Sequence, residues 1–245
     1  MKLNGKIVLI TGGSGLIGSE IIKNIIEYGG TAINLDINCR NDLDQGSLVV
    51  DINDHKSISI AVEKIIKKYN RVDGLVNNAY PKTDDWGDNI EKVTSESFNK
   101  NLNMQLGGVF SISKFILKIM KEQLSGSVVN IASIYGMVGN NFNIYEKTQI
   151  NPPVAYSAIK GGLINYNKFI ASYYGKFNIR SNCVSPGGVV NNQDSNFIKN
   201  YTNNVPMKRM GKPDDIAPLV TFLLSDSSKY ITGQNIAIDG GWTAI

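Results

Sequence analysis

Residues 6–18 read Lys-Ile-Val-Leu-Ile-Thr-Gly-Gly-Ser-Gly-Leu-Ile-Gly, and this stretch indicates how the chain folds. Lys6–Ile10 predicts a buried β-strand, and apolar residues recur at helical spacing over 16–28. The glycine-rich turn between them permits a sharp change of direction and presents backbone N–H groups at the start of the helix. Strand, glycine-rich turn and helix in this order are typical of a dinucleotide phosphate site.

The alternation of short apolar runs and helical patterns continues to the C-terminus. Further strands are predicted at 31–36, 47–51, 72–77, 127–133, 179–185 and 235–238, and further helices at 58–69, 95–121, 154–174 and 214–224. This order predicts an α/β protein with a three-layer Rossmann fold, whose doubly wound, mostly parallel seven-stranded sheet has helices on both faces. No linker or repeat divides the chain, so residues 1–245 are expected to form a single domain.

Length and composition exclude several classes of protein. The 245 residues are 42% hydrophobic and 19% charged, which is typical of a globular protein with its own core. The net charge of +4 is small and spread out, and this argues against nucleic acid or a membrane surface as a partner. No run is long enough for a signal sequence or a membrane span, so a cytoplasmic location is expected. Cys39 and Cys183 form neither a metal-ligand spacing nor a disulfide framework, and no metal site is predicted.

Ligands of doubly wound sheets bind beyond the carboxyl ends of the strands, so residues at those ends are candidate contacts. The candidate phosphate contacts are Gly12, Ser14, Gly15, Leu16 and Ile17. Asp36 ends the second strand about 20 residues after the glycines, where a carboxylate can hydrogen-bond the adenosine ribose. This carboxylate would repel a 2′-phosphate and favours NAD over NADP, although the nearby Arg40 keeps NADP open. An ordinary capping or loop Asp is the alternative interpretation.

Two further strand ends carry candidate cofactor contacts. Asp51 and Ile52 follow the third strand, where a carboxylate can accept a hydrogen bond from an adenine amino group. A place near a helix N-cap is an equal alternative for Asp51. Asn78 and Ala79 follow the fourth strand, where an Asn can contact a ribose or stabilise the loop.

A serine, a tyrosine and a lysine provide candidate catalytic groups. Ser133 ends the fifth predicted strand, and Tyr156 and Lys160 follow on a predicted helix at positions i and i+4, which project from one face. A lysine ammonium beside a phenol favours the phenolate and lowers the phenol pKa from about 10. Such a tyrosine can exchange a proton with a substrate hydroxyl near neutral pH. Taken alone, Tyr156 and Lys160 also fit an exposed helical pair.

Together these residues resemble those of the short-chain dehydrogenase/reductase family, in its single-domain branch of about this length, over essentially the full chain. Further matching stretches are Asn77–Ala79, Pro186-Gly187, 205–216, Thr232–Gln234 and Asp239–Gly241. The resemblance implies that Tyr156 is the acid/base, that Lys160 lowers its pKa and holds the nicotinamide ribose, and that Ser133 polarises the substrate carbonyl. Hydride would pass between the nicotinamide and the carbonyl carbon.

The family also implies further cofactor contacts and self-association. Pro186, Gly187 and Val189 join the cofactor-binding residues, as do Tyr156 and Lys160. The apolar stripes of 95–121 and 154–174 would partly face a partner subunit, so a homotetramer or homodimer is expected.

Several positions depart from the family pattern. Leu16 stands where single-domain members usually have the middle glycine, and the resulting spacing resembles the longer, sugar-nucleotide-modifying branch. Tyr80 stands where glycine is usual and would add an aromatic wall near the nicotinamide. Gln105 stands where the family often has a catalytic Asn that orders a relay water, and it is our fourth catalytic candidate. The interval from Ser133 to Tyr156 is longer than usual, and its additional segment, residues 136–149, is called the insertion below.

The additional residues of that interval suggest what the substrate is. Tyr145–Gln149 are polar and suit a polyhydroxylated or charged substrate better than a fatty acyl chain, although a surface flap or a subunit contact is the alternative. We expect the substrate pocket to be formed by residues 80–89, 136–153 and 189–212, with 192–204 as a mobile lid.

The leading hypothesis is an NAD(H)-dependent oxidoreductase that interconverts a secondary alcohol and a ketone of a small, sugar-like metabolite. The 77–81 loop, Gln105 and the insertion resemble family members associated with bacterial flagellin-glycan and nonulosonic-acid loci, which implies surface-glycan biosynthesis. One alternative is a 3-oxoacyl-thioester reductase that uses NADPH. A second is a non-catalytic NAD-binding regulatory protein.

Overall fold

The computed structural model describes residues 1–245 and contains the seven predicted strands. The strands are β1 Ile7–Thr11, β2 Thr31–Asp36, β3 Ser47–Val49, β4 Gly74–Asn77, β5 Gly126–Ile131, β6 Ile179–Pro186 and β7 Asn235–Ile238. The helices are α1 Leu16–Glu27, α2 His55–Tyr69, α3 Ser95–Leu102, α4 Gly108–Gln123, α5 Val154–Tyr174, α6 Ser195–Asn204 and α7 Pro213–Leu224. None of these helices is both long and apolar enough to cross a membrane.

The strands form one sheet in the order β3-β2-β1-β4-β5-β6-β7, and every neighbouring pair is parallel. The predicted Rossmann fold is confirmed, with an all-parallel sheet where a mostly parallel one was expected. The chain runs outward from β1 to β3 and then returns to place β4 on the other side of β1. The strand order therefore switches between β1 and β4, which is where ligands bind in doubly wound sheets.

Both faces of the sheet are buried, because successive side chains of a strand point to opposite faces. Ile7 and Leu9 of β1 pack in a cluster of 19 buried residues with side chains of α2 and α4. Val8 and Ile10 pack on the other face in a cluster of 15 buried residues with side chains of α1 and α7. The near-continuous apolar runs of the central strands follow from this two-sided burial.

A chain of buried polar side chains links the central strands. The Asn77 amide donates to Asn130 Oδ1 over 2.8 Å, and the Asn130 amide donates to Asn167 Oδ1 over 3.3 Å. The Ser181 hydroxyl also donates to Asn167 Oδ1, over 2.6 Å. Because buried polar groups are costly when unpaired, this network of hydrogen bonds fixes β4, β5, α5 and β6 relative to one another.

The prediction of one long helix over 95–121 is wrong in one respect. A π-helical turn at Asn103–Gly107 separates α3 from α4. Two adjacent glycines follow its centre, and glycine weakens the regular helix. An added Cβ at Gly108 would lie 2.7 Å from Ile52 Cδ1, so the close packing against Ile52 depends on this glycine. Gln105 lies within the turn and is buried.

The segment predicted as a mobile lid, 192–204, is mostly helical. Asp194 caps α6, because its carboxylate accepts hydrogen bonds from the backbone N–H groups of Asn196 and Phe197. Phe197 and Tyr201 stand one turn apart and are buried in a cluster of seven residues that includes Trp242. The many asparagines of this segment are weak helix formers and conceal the helical pattern in the sequence.

Candidate active site

A cavity of about 890 Å³ lies at the carboxyl ends of the central strands. Each residue predicted to bind a cofactor lines it, namely Gly12, Ser14, Gly15, Leu16, Ile17, Asp36, Asp51, Ile52, Asn78, Ala79, Tyr156, Lys160, Pro186, Gly187 and Val189. Ser133 lines the cavity as well, and Gln105 does not. The structure thus brings together residues from seven separate segments at the edge that the sheet topology favours.

The glycine-rich loop is packed so closely that side chains would not fit in it. An added Cβ at Gly12 would lie 2.8 Å from Ala79 Cα, and one at Gly18 would lie 2.3 Å from Gly12 O. The Asn78 amide holds the loop by donating to the carbonyl oxygens of Thr11 and Gly12 over 3.2 and 2.9 Å. Asn78 therefore stabilises the loop, which was one of the two roles expected of it.

The first turn of α1 has N–H groups that no side chain caps. Gly15 is the N-cap residue and makes no side-chain hydrogen bond to the turn. Uncapped N–H groups and the positive end of the helix dipole suit an anion. Leu16 begins the helix and is 43% exposed, so packing within the protein leaves room for its side chain where the family usually has glycine. The loop and the helix fit the pyrophosphate of a dinucleotide.

Asp36 is buried beside the glycine-rich loop. Its carboxylate accepts hydrogen bonds from the backbone N–H groups of Ser14 and Asn38 over 3.0 and 2.8 Å. Arg40 is exposed and does not line the cavity. The negative charge at the end of β2 therefore has no cation beside it on the cavity wall.

Asp51 and Ile52 form the far end of the cavity. The Asp51 carboxylate is exposed and accepts a hydrogen bond from the Asn53 N–H over 2.8 Å, while Ile52 is buried. The N-cap of α2 is Asp54, and the Asp51 N–H donates to Ser57 Oγ of α2 over 3.1 Å, so Asp51 also has the place near a helix N-cap that was its alternative. Both residues lie where the other end of an extended ligand would reach.

Ser133, Tyr156 and Lys160 form one wall of the cavity. Ser133 is buried and caps a 3₁₀ turn at Ile134–Gly136, where its hydroxyl accepts from the Tyr135 N–H over 3.2 Å. The Lys160 ammonium donates to the Ile131 carbonyl oxygen over 2.8 Å and lies 5.6 Å from the centre of the Tyr156 ring. Helix α5 thus presents the tyrosine and the lysine from one face, as their spacing predicts.

Burial dominates the electrostatics of this wall. It raises the pKa of Tyr156, and the neighbouring Ser133 hydroxyl partly opposes that rise. Burial also lowers the pKa of the Lys160 ammonium to about 8, and Cys183 is the other titratable group that acts on it. The expectation that Lys160 lowers the Tyr156 pKa is therefore wrong for the free protein, because burial outweighs it and the phenol is neutral. The ammonium is held by a carbonyl group instead of a carboxylate.

The lowered pKa of Lys160 predicts a pH dependence of stability. Between pH 8 and 10.5 the folded protein has released this proton while the unfolded chain still holds it, so the free energy of unfolding rises with pH. Relative to a Lys160→Met variant, which lacks the titrating group, we expect a rise on the order of 3 kcal/mol. Urea unfolding at both ends of this pH range measures it. If the free energy of unfolding of the wild-type protein, taken relative to Lys160→Met, stayed constant or fell over this range, a lowered pKa of Lys160 would be contradicted.

Gln105 lies behind the cavity wall. It is buried in the π-helical turn, and neither its Oε1 nor its Nε2 has a hydrogen-bond partner. The adjacent Met104 lines the cavity instead. A part for Gln105 in a proton relay therefore stays a prediction, and the structure brings three of the four catalytic candidates together.

Tyr80 lines the cavity beside the catalytic candidates. Its ring meets the Tyr156 ring edge-on, with 5.8 Å between the ring centres. Trp86 is buried and donates its indole N–H to the Tyr80 hydroxyl over 2.9 Å. Trp86 does not line the cavity. It supports the 80–89 loop and covers it, while Tyr80 forms the aromatic wall that the sequence predicts.

Four aromatic residues that sequence analysis did not assign or placed only loosely also line the cavity. Tyr135 comes from the 3₁₀ turn, Tyr145 from the insertion, and Phe197 and Tyr201 from α6. The spacing of Phe197 and Tyr201 at i and i+4 is the signal that could have identified the pair. No local pattern marks Tyr135.

The insertion packs on α6. The Asn196 amide donates to Lys147 O over 3.2 Å, and the Asn200 amide donates to Ile144 O and Glu146 O over 3.3 and 3.0 Å. Insertion and helix also share the apolar cluster around Phe197. These two segments together close the side of the cavity.

Known proteins of three kinds are similar to this chain. The family model described as Enoyl-(Acyl carrier protein) reductase matches residues 32–243. Post-translational flagellin modification protein A of Campylobacter coli is 34% identical over 98% of this chain and 99% of its own. A 3-oxoacyl-(acyl-carrier-protein) reductase of Thermotoga maritima is 34% identical over the same shares. The crystal structure of a short chain dehydrogenase from Leptospira borgpetersenii with bound NAD⁺ has a TM-score of 0.90 at 36% identity and covers 99% of this chain and 94% of its own.

Proposed function

Because the chain belongs to the short-chain dehydrogenase/reductase family and is thus an oxidoreductase, we propose that it is an NAD(H)-dependent enzyme that interconverts a secondary alcohol and a ketone. The observation that carries this proposal is the convergence of Ser133, Tyr156 and Lys160 on one wall of the cavity, beside the glycine-rich loop. That convergence also argues against a purely regulatory protein without turnover. We further propose that residues 1–245 form one domain with its substrate loops built in.

Three side chains divide the chemistry among them. When bound, a nicotinamide cofactor supplies or takes up the hydride. Ser133 donates a hydrogen bond to the substrate oxygen and polarises the carbonyl. In reduction, the Tyr156 hydroxyl gives its proton to that oxygen, and in oxidation the Tyr156 phenolate takes the proton back. The Lys160 ammonium, held in place by the Ile131 carbonyl, would donate to ribose hydroxyls of the cofactor, and its charge would oppose the burial that raises the phenol pKa.

Asp36 supports NAD(H) as the cofactor. Its carboxylate lies at the end of β2, is buried, and has no cation beside it on the cavity wall. A ribose with free hydroxyls can donate to this carboxylate, whereas a 2′-phosphate would meet like charge. The related Leptospira structure also contains NAD⁺.

Polar groups among the aromatic side chains of the cavity support a sugar-like substrate. Hydroxyl and amide side chains line it, contributed by Tyr135, Tyr145, Asn191, Gln193 and Tyr201. Residues 80–89, 136–153 and 189–212 each contribute to the lining, as expected of substrate loops. Similarity to the flagellin modification protein supports a place in surface-glycan biosynthesis.

A second candidate function is the NADPH-dependent reduction of a 3-oxoacyl thioester. The identity to the Thermotoga reductase equals that to the flagellin modification protein, and this observation favours it. The polar lining and the carboxylate of Asp36 favour the sugar-like substrate and NAD(H) instead.

Cofactor preference tests the two candidates against each other. We expect NADH to bind at least tenfold more tightly than NADPH, since a 2′-phosphate beside Asp36 costs about 1.4 kcal/mol or more. Asp36→Asn keeps an acceptor for the Ser14 N–H but removes the charge. The ratio of the NADPH and NADH dissociation constants should therefore fall about tenfold. Calorimetric titration of both proteins with both cofactors measures this. Tighter binding of NADPH by the wild-type protein would support the acyl-thioester reductase.

We also propose that the protein is a homodimer or homotetramer. Phe110 on α4 and Phe169 and Tyr173 on α5 are 52%, 61% and 49% exposed. The rings of Phe169 and Tyr173 stack in parallel with 6.0 Å between their centres. Exposed aromatic side chains on two adjacent helices support self-association through this surface.

A further inference from the structure

We propose that Tyr80 is a positioning residue for Lys160, whose ammonium its ring holds charged on the buried wall of the cavity. The inference rests on the proposed function, in which Lys160 acts as an ammonium beside the acid/base Tyr156. Tyr80 stands where the family usually has glycine, so this ring belongs to the present chain and not to the common pattern of the family.

The Lys160 ammonium lies beside two aromatic rings. Its Nζ lies 5.7 Å from the centre of the Tyr80 ring and 5.6 Å from the centre of the Tyr156 ring. The two rings meet edge-on, with 5.8 Å between their centres and an angle of 88° between their planes. A cation within about 6 Å of a ring centre is attracted by the negative face of the ring. The Tyr80 ring therefore favours the charged form of the lysine.

The other groups around this ammonium do not balance its charge. Lys160 is buried, and burial disfavours a charged group. The Ile131 carbonyl oxygen of β5 accepts its hydrogen bond over 2.8 Å, and the Cys183 thiol of β6 is the titratable group whose charge acts on it. Burial raises the pKa of that thiol and of the Tyr80 and Tyr156 phenols, so all three are neutral near neutral pH. The rings thus supply the attraction that a carboxylate would otherwise provide.

Trp86 holds the Tyr80 ring in this position. Its indole N–H donates to the Tyr80 hydroxyl over 2.9 Å, and the two rings meet edge-on with 5.6 Å between their centres. Trp86 is itself buried against Ala155 and Ile159 of α5, the helix that also carries Lys160. The ring and the ammonium are therefore fixed relative to the same helix.

Stability measurements without any ligand test the inference. Tyr80→Leu and Tyr80→Phe both lack the hydroxyl, and only the second keeps the ring. Urea unfolding gives the ratio of their unfolding equilibrium constants, Leu over Phe. From about pH 6, where Lys160 is charged, to about pH 10, where the folded protein has released this proton, the ratio should fall by a factor of about three to thirty.

Lys160→Met provides the matched background, because it removes the charge. In that background the ratio should be the same at both pH values. A ratio that did not change with pH in the protein with Lys160 would overturn the inference, since the ring would then only fill space. A change that persisted in Lys160→Met would overturn it as well, since another group would be responsible. Tyr80 is 43% exposed, so neither replacement should prevent folding.

The pH dependence of activity gives a second measurement. Loss of the ring removes an attraction that favours the ammonium, so Lys160 should lose its proton at lower pH in Tyr80→Leu. For a ketone that the wild-type protein reduces, the alkaline limb of the kcat/KM profile should move to lower pH by about 0.5–1.5 pH units. Tyr80→Phe should keep the limb of the wild-type protein. Limbs at the same pH in the two variants would overturn the part that we assign to Tyr80 in the reaction.

Failure of this inference and failure of the proposed function give different results. The Tyr156→Phe variant tests the proposed function, and the stability ratio needs neither cofactor nor turnover. A constant ratio together with a large loss of turnover in Tyr156→Phe would refute only the part of Tyr80. Full turnover in Tyr156→Phe would refute the proposed function, whatever the ratio.

Discussion

Replacing Tyr156 by Phe lowers turnover about a thousandfold while NADH still binds with an affinity within a few-fold of the wild-type value. The change removes one oxygen atom and keeps the ring that packs edge-on against Tyr80. A positioned acid/base contributes roughly 10²–10⁴-fold to rate, and the neighbouring Lys160 ammonium is held by the Ile131 carbonyl. Steady-state kinetics with NADH and a ketone that the wild-type protein reduces, together with calorimetric titration of NADH, measure the two quantities.

Tyr230→Phe is the matched control for that experiment. Tyr230 is 99% exposed, so the same chemical change there should alter neither turnover nor NADH affinity. Turnover of Tyr156→Phe within tenfold of the wild-type value would contradict the proposed acid/base role. A large loss of NADH affinity would instead show that the hydroxyl acts mainly in cofactor binding.

Replacing Gly18 by Ala destabilises the protein by about 3 kcal/mol and weakens NADH binding by a hundredfold or more. The added Cβ would lie 2.3 Å from Gly12 O, 2.7 Å from Gly13 Cα and 2.9 Å from Asn78 Nδ2. Two of these atoms belong to the backbone of the loop, so the loop itself must move. That movement displaces the backbone from the position in which it would hold the phosphates.

Gly175→Ala provides the comparison for Gly18→Ala. No atom lies within 4 Å of an added Cβ at Gly175, and its φ of −56° suits alanine. This variant should keep the stability and the NADH affinity of the wild-type protein. Urea unfolding and calorimetric titration test both variants, and a Gly18→Ala protein that binds NADH normally would rule out the close loop packing as a requirement for the cofactor.

The elements that position the site follow from short-range patterns in the sequence. A buried strand is recognisable as an apolar run, and parallel strands bring their carboxyl ends to one edge, so Asp36 and Ser133 could be assigned to the site in advance. Helical spacing alone places Tyr156 and Lys160 on one face of α5. Each of these predictions depends only on residues close together in the chain.

The remaining features depend on contacts between distant segments. The burial of the Tyr135 ring depends on the apolar cluster that Phe197 and Tyr201 of α6 help to form. The location of Gln105 depends on the π-helical turn, since one additional residue in a helix rotates all later residues of that helix by about 100°. Helix α6 is stabilised by burial of Phe197 and Tyr201, and its asparagines give no local indication of it.

The attachment of the insertion to α6 has a consequence for how this protein can evolve. Tyr145 and Phe197 lie with 5.5 Å between their ring centres, and the Asn200 amide joins α6 to the backbone of the insertion. A substitution that reshapes one of these segments for a different metabolite also disturbs its neighbour. New specificity therefore requires paired substitutions in the two segments, and descendants of this chain should acquire or lose them together.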